Sequence, residues 1–451
     1  MNRRKFLQRS ASTGLAFATA ASFSACDVVA PRPRAKAKDL ANGRITVCCT
    51  GVKGRGNSLF NGFGAAEGVD VKYVCDIDSE WLGRRQGEFE SKFNRRPEAI
   101  ADYRRALDDQ AIDAIVLGTP DHWHALPTIH ACQAGKDVYV EKPDGHNLVE
   151  GQVMSAAAKK HGRVVQLGTQ ARSDPDLLAL REYVKEGHLG RVVMAKAWES
   201  TQQRNLGKPA DGEAPPTIDY DVWLGPAPKR PFNPLRFHGN WRWFFDYGAG
   251  DLANDGVHRL DIARWFMEAA VEAAGEKPLG LPRSVAASGG KYYFDDAQEW
   301  PDTMLVTYDF PGRILTYEMR VWAPYPLEGE GEGAAIFGDK GYLVIGNSRW
   351  RHFGPKGQLI KESARSGQAD AAHVRNFVDC MRSRGKPNAD LDTVGRPSSL
   401  LCHLGNIAWR VGRTVKFDYD SYSFTGDDDA NALRTRAEYR APYLLPKLDA
   451  V

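Results

Sequence analysis

The chain has 451 residues, enough for two domains and a tail, and its 42% hydrophobic and 26% charged residues are the composition of an ordinary soluble protein with a packed core. Its formal charge is +3, and the four basic residues Arg3, Arg4, Lys5 and Arg9 lie in a first segment that holds no acid, so the remainder carries −1; that balance offers no basic field to a nucleic acid. The seven cysteines include no CxxC pair or ligand-spaced cluster, which argues against structural zinc and for buried free thiols.

In chain order, MNRRKFLQRS leads into a mild apolar stretch from Ala11 to Ala25. Paired Arg3 and Arg4 before Phe6 and Leu7 resemble a twin-arginine export signal over residues 1–26, and the stretch is too short and too rich in Ala, Ser and Thr to span a bilayer stably. Small residues before Cys26 resemble a lipoprotein cleavage site. A lipid there is the one expected link to a membrane; the alternative is simple release into the periplasm. Residues 27–42, with Pro31, Pro33 and alternating Arg, Lys and Ala, read as a tether.

From Ile45 short apolar runs alternate with helical stretches. ITVCCTG, VDVKYVCDID, AIDAIVLGTP, KDVYVEKP and RVVQLGTQ are predicted strands, and residues 78–94 and 124–135 are predicted helices. Such alternation indicates right-handed βαβ units and a parallel sheet over residues 43–168. After about residue 170 strands dominate: VVMAKAWES, SVAASGGKYYF, DTMLVTYDF, RILTYEMRVW and GYLVIG. Several alternate with period two, which predicts a mostly antiparallel sheet with helices on one face, in a domain over 169–420. The last helices are placed at 370–384 and 396–412, and residues 421–451 form a polar tail. The fold class is α/β.

The first strand runs into Gly51-Val52-Lys53-Gly54-Arg55-Gly56. Glycines at this point allow a tight turn and bring backbone N–H groups at a helix N-terminus close to a pyrophosphate. The spacing is GxxGxG, a weak signal alone, but Asp76 closes the second strand 20 residues after Gly56. A carboxylate there accepts both ribose hydroxyls of NAD and repels a 2′-phosphate. NAD(H) is the favoured cofactor; Arg84 and Arg85, about two helical turns beyond, leave NADP(H) open.

Residues 115–150, with IVLGTPDHWHALPTIHACQAGKDVYVEKPDGHNLVE, resemble the Gfo/Idh/MocA family, that of glucose–fructose oxidoreductase and inositol dehydrogenase. Glu141-Lys142-Pro143 matches its hallmark triplet. GRVVQLGTQ and GAGDLANDGVHRLDIARW continue the match, over roughly residues 43–440. The resemblance implies an N-terminal Rossmann domain and a C-terminal α/β domain with an open sheet that often packs on another subunit, hence a homo-oligomer. It implies that Lys142 touches substrate and the nicotinamide ribose, that Thr119 and Pro120 pass under the nicotinamide, that His124 sits near cofactor or substrate, and that Gln170 contacts the cofactor region. A cis Lys142–Pro143 bond is an option, since X–Pro tolerates it at small cost.

The family's Asp-x-Gly-x-His appears here as Asn254-Asp255-Gly256-Val257-His258. His258 matches the family histidine, a proton acceptor for the hydroxyl being oxidised. Asn254 stands where the family commonly has Asp and cannot hold a negative charge. The base is then His258 alone, or Lys142, or Asp255. On a continuous helix 254 and 258 share a face. Asp261 either orients the His258 ring or serves as a cap or core-rim residue. His122 and His124 alternate on a loop and do not suggest a metal; none is expected. The aromatics of NWRWFFDYG (240–248) suit sugar stacking, with Arg242 for hydroxyls, or else a packed crossover; Arg320 and Trp322 are weaker substrate-side candidates.

Export sharpens the functional expectation. A protein outside the cytoplasm cannot draw on the NAD pool, and the twin-arginine route moves folded proteins, so a bound dinucleotide travels inside. The expected activity is an exported NAD(P)-dependent oxidation at CH–OH of a sugar or polyol, with a tightly held cofactor. The alternatives are a glycosidase or lyase with no net redox, in which transient oxidation acidifies a neighbouring proton, and a non-catalytic sugar-binding relative, kept open by Asn254.

Overall fold

The computed structural model describes residues 43–451. The expected export signal, the expected lipid site at Cys26 and the expected tether lie outside the described residues. Six parallel strands form the first sheet: β1 (Ile45–Thr50), β2 (Val69–Cys75), β3 (Glu98–Ile100), β4 (Ala114–Leu117), β5 (Asp137–Val140) and β6 (Val165–Leu167), in the order β3-β2-β1-β4-β5-β6. This is the doubly wound order of a Rossmann fold. Ile45, Val47, Cys48 and Cys49 of β1 are all buried, because helices cover both faces of a parallel sheet. Those helices include α1 (Arg55–Ala65), α2 (Ser79–Phe93), α3 (Arg104–Asp108), α4 (Ala125–Gln133) and α5 (Leu148–Lys160). Asp78 starts α2 by accepting from the Glu80 and Trp81 N–H groups, and Asn94 ends it in the left-handed region at φ 51°. Edge strand β3 was not expected; three residues are too few for a periodic signal.

After α6 (Pro175–Lys185) come β7 (Val192–Ser200), α7 (Tyr220–Leu224), α8 (Gly250–Asn254), α9 (Gly256–Ala273), β8 (Ser284–Gly290), β9 (Thr303–Phe310), β10 (Arg313–Arg320), β11 (Glu332–Gly338), β12 (Gly341–Gly346), β13 (Arg349–Phe353) and β14 (Leu359–Ala364). The eight strands form one sheet, β14-β13-β12-β11-β7-β10-β9-β8, antiparallel except between β7 and β10. Strands β11, β13 and β14 join those expected. Helices α6 and α9 pack together, and α9 lies on β7, β10 and β11. On the other face Val193, Met194, Leu305 and Ile314 are exposed.

Two later segments return to the first sheet. Helix α10 (Ala369–Ser383) inserts Val374, Phe377 and Met381 among Phe63 and Tyr139 in the Rossmann core, with the Phe377 ring edge-on to both aromatics. Helix α11 (Arg396–Val411) belongs to the larger core of the second domain. The chain end then crosses back, and Tyr443, Leu445 and Val451 pack against the other face of the Rossmann sheet. Cys48, Cys49, Cys75, Cys132, Cys380 and Cys402 are buried and free. Among the described residues no helix is long and apolar enough to cross a membrane.

Candidate active site

A cavity of about 540 Å³ follows the carboxyl edge of the first sheet. Its wall takes Asp102 after β3, Asp76 after β2, Gly51 after β1, Thr119 after β4 and Lys142 after β5. That edge, where the strand order reverses, is where doubly wound sheets hold ligands.

The turn after β1 is built around glycine. Gly51 and Gly54 adopt φ of 75° and 55°, and α1 begins at Gly54 without any side-chain cap, leaving its first N–H groups for an anion. A Cβ on Gly56 would lie 1.6 Å from the Gly51 carbonyl oxygen, so no larger residue fits this close approach. Asp76 lines the cavity and ties down the turn: its carboxylate accepts from Val52 N–H at 2.9 Å and Asp78 N–H at 3.1 Å. Burial raises its pKa despite these bonds. Arg85 donates to the Val52 carbonyl at 3.0 Å, and Arg85, Arg84 and Lys53 gather over the Trp81 ring. The turn, the open helix start and the carboxylate together fit a dinucleotide.

At the other end, Glu141 is a buried hub. It accepts from Arg55 Nε at 2.8 Å and Gln170 Nε2 at 3.2 Å, and Arg55 extends to Asp370 at the start of α10 with two bonds of 3.0 and 2.8 Å. Arg55 and Glu141 line the cavity; Gln170 stands behind them, bonded also to Tyr139. The Lys142–Pro143 peptide is cis. The Lys142 ammonium donates to the Asn254 backbone carbonyl at 2.6 Å and to its side-chain oxygen at 3.1 Å. Its third N–H faces no protein acceptor among the described residues. Asn254 therefore accepts from Lys142 on one side and donates from Nδ2 to Asp255 at 3.0 Å on the other.

The helix containing this motif is interrupted. Asn254 ends α8, Asp255 sits at φ −105°, ψ −33°, and α9 starts at Gly256. A single face shared by 254 and 258 is thus not continuous. Lys142 and Asn254 line the cavity, whereas Asp255 and His258 do not. Asp255 faces Glu199 and Asp251, away from where a base in the cavity would act. His258 is half-buried, and among the described residues its ring makes no hydrogen bond. Burial, and then the charges of Lys142, Arg259 and Arg55, push its pKa well below that of a free histidine, so the ring is neutral at neutral pH.

The remaining candidates fall partly on the cavity and partly away from it. Asp261 does not touch His258: it is fully buried and pairs with Arg172 at 2.7–3.1 Å and with Ser398 Oγ at 2.5 Å. His124 does not line the cavity. Its ring lies between the carbonyls of Pro143 (2.7 Å) and Thr119 (2.9 Å), which positions the loop rather than a ligand. His122 is held by the Tyr247 and Trp223 carbonyls, so the two rings do not converge. Of the aromatic run, Trp241 and Arg242 reach the cavity, while Trp243, Phe244 and Tyr247 are core and Phe245 sits edge-on to Trp300. Arg320 and Trp322 bond to Tyr325 and Thr303 outside the cavity.

Other lining residues gave no sequence signal. Trp223 and Phe237 come from the connection after β7, and Pro442, Tyr443 and Leu444 from the chain end. Tyr443 stands edge-on to Trp123 at 5.3 Å, which is in turn edge-on to Tyr103. Asp121, buried near Lys142 and accepting from Ala249 N–H at 3.2 Å, has its pKa pushed up to about 7 by burial.

Known proteins share these features. The family model described as "Oxidoreductase family, NAD-binding Rossmann fold" matches residues 62–169, and "Oxidoreductase family, C-terminal alpha/beta domain" matches 196–300 and 351–445. The chain is 24% identical to the scyllo-inositol 2-dehydrogenase (NAD(+)) of Bacillus subtilis (strain 168), over 63% of this chain and 72% of that protein. It is 25% identical to a glycosyl hydrolase family 109 protein of Solibacter usitatus (strain Ellin6076), over 78% and 82%. A levoglucosan dehydrogenase solved with NADH and levoglucosan superposes with a TM-score of 0.64 at 17% identity, covering 83% of this chain and 99% of that one. Two matched domains of one family, joined by this glycine turn and Glu-Lys-Pro strand end, place the chain in the Gfo/Idh/MocA oxidoreductase family, with its NAD-binding Rossmann fold.

Proposed function

We propose that the protein is an exported enzyme that oxidises a CH–OH group of a sugar or polyol and keeps its NAD(H) between turnovers. The observation that carries this reading is the single cavity joining the Gly51–Gly56 turn and Asp76 to the Lys142–Asn254 pair, with Trp241 and Arg242 in its wall. NAD+, when bound, supplies the hydride acceptor for a carbinol carbon. Lys142 Nζ, fixed by two bonds to Asn254, directs its remaining N–H at the substrate oxygen and stabilises the charge that develops there. His258 is neutral and near Lys142 but stands outside the cavity wall; it takes the hydroxyl proton on a closure, driven by substrate binding, that brings the two within hydrogen-bond reach. Trp241 offers an aromatic face to sugar C–H groups and Arg242 offers donors to hydroxyls. Scyllo-inositol and levoglucosan in the names of similar proteins support a polyol or sugar substrate. The paired Arg3 and Arg4 support twin-arginine export to the periplasm, and the exposed apolar sheet face supports a homo-oligomer.

The test is purification of the full chain, long dialysis, and the absorbance of the reduced nicotinamide band with and without a panel of sugars and glycosides. Stoichiometric cofactor that changes redox state with a sugar is expected. Protein that binds no NAD(H) in any form overturns the proposal. A second reading, a glycosidase without net redox, is favoured by the family 109 relative. It predicts release of an aglycone with no lasting change in cofactor redox state.

A further inference from the structure

Directly behind the cavity wall lies an acidic cluster that the proposed reaction does not use. Glu199 near the end of β7, Asp251 in α8 and Asp255 after α8 bring one carboxylate oxygen each within 4.8 Å of one another. Glu199 and Asp251 are each 1% exposed. None of the three is in an ion pair among the described residues, and while Glu199 and Asp251 are both ionised neither oxygen of either has a donor there; a proton shared between the two carboxyls would bond them to each other. A second observation comes from the neighbouring strand. Tyr317 of β10 is fully buried and its hydroxyl is also unpartnered. That hydroxyl lies 2.5 Å from where a Cβ on Gly256, the residue after Asp255, would stand, so it abuts the cluster. The parallel register sets Tyr317 against Ala197 and Met319 against Glu199, so Tyr317 and Glu199 lie on one face of the sheet.

Five buried oxygens without partners call for something that satisfies them all, since buried polar groups in folded proteins are paired. Of the nearby cations, Lys142 is bonded to Asn254 and Arg259 to Glu332, while Arg242, whose charge also reaches Asp251, lies over Trp241 and bonds to none of the three carboxylates. The donors are all oxygen, three carboxylates and a phenol, which suits a hard divalent cation and not a thiolate- or imidazole-seeking one. Two positive charges offset two of the three carboxylates, and Lys142 and Arg242 close by offset the third. We propose that Glu199, Asp251 and Asp255, completed by the Tyr317 hydroxyl, bind one divalent cation of the Ca2+, Mg2+ or Mn2+ class. Asp255 then carries its effect outward: it accepts from Asn254, which holds Lys142. The ion positions the ammonium at the cavity wall without touching the reacting atoms.

The competing way to fill the cluster is with protons, since burial and mutual repulsion raise the pKa of both Glu199 and Asp251. The two are told apart on the full-length protein stripped with chelator. Calorimetry with Ca2+ and Mg2+, and electron paramagnetic resonance with Mn2+, are expected to show one ion per chain and a higher melting temperature with it. Asp251→Asn and Glu199→Gln, each checked for native circular dichroism, are expected to weaken binding about 100-fold or more, and Tyr317→Phe less. Wild type that binds none of the three ions would overturn the site, and Asp251→Asn or Glu199→Gln then melting higher than wild type would assign bound protons in its place. The readout is metal binding and melting, so it is independent of the proposed sugar chemistry.

Discussion

Replacing Lys142 by methionine removes a charge while nearly conserving volume. The side chain gives up its bonds of 2.6 and 3.1 Å to Asn254, and two carbonyl oxygens lose a charged donor, at a stability cost of about 1–3 kcal/mol. The loss at the reacting oxygen is larger. General acid–base groups contribute about 10²- to 10⁴-fold, or roughly 3–5 kcal/mol of barrier. Turnover of the responsive sugar, followed by product analysis, should therefore fall by about 10²- to 10⁴-fold. NAD affinity, measured by fluorescence titration, should hold, because Gly51 and Gly56 follow β1, two strands from the β5 end that carries Lys142, and Asp76 follows β2, three strands from it. A second signature follows from charge. Burial first, and Lys142 second, depress the His258 pKa. Removing Lys142 lets that pKa rise, so the acid limb of residual activity should move to higher pH. Turnover within about tenfold of wild type, or a parallel loss of NAD binding, would refute the assignment.

Deleting residues 437–451 removes Pro442, Tyr443 and Leu444 from the cavity wall and the buried Val451 from the Rossmann core; the truncated protein should lose cofactor on a dialysis that the full chain survives, read from nicotinamide absorbance. Arg172→Met leaves Asp261 buried with only Ser398 as partner, and should cost about 3–5 kcal/mol in urea unfolding. Asp144 is 2% exposed and burial raises its pKa to about 7. A carboxyl whose folded pKa is raised contributes stability at low pH, below the unfolded value, and that contribution is lost as pH rises through about 7. Asp144→Asn, a neutral mimic, should therefore gain on wild type between pH 5 and pH 8, by up to about 3 kcal/mol, in denaturant unfolding at the two pH values. An unchanged difference at the two pH values would remove Asp144 from the titration.

The alternating runs that predicted the parallel sheet are local signals: each strand is a short apolar block and each helix a spaced one, so β1, β2, β4, β5 and β6 were legible. The glycine turn and Asp76 were legible for the same reason, since both sit a fixed distance from a strand end. The Asn254–His258 spacing misled because one residue, Asp255, interrupts the helix, and sequence spacing converts to a shared face only on an unbroken helix. Asp261 looked like a partner for His258 because it is three residues away. Arg172 and Ser398, distant in sequence, claimed it instead.

By itself the sequence determined the two-domain α/β plan, the dinucleotide turn and the identity of the residues at the end of β5. Periodicity and turn chemistry act within a few residues, and the chain writes them directly. The tertiary structure decided what long-range packing alone can bring together. It closed the cavity with the chain end, put α10 into the first domain's core, joined Lys142 to Asn254, and gathered Glu199, Asp251, Asp255 and the Tyr317 hydroxyl behind them. Glu199 and Tyr317 meet because β7 and β10 pair in parallel register. Asp251 and Asp255 meet them because α8 and the turn into α9 lie over that pair, a relation that no spacing within either segment encodes.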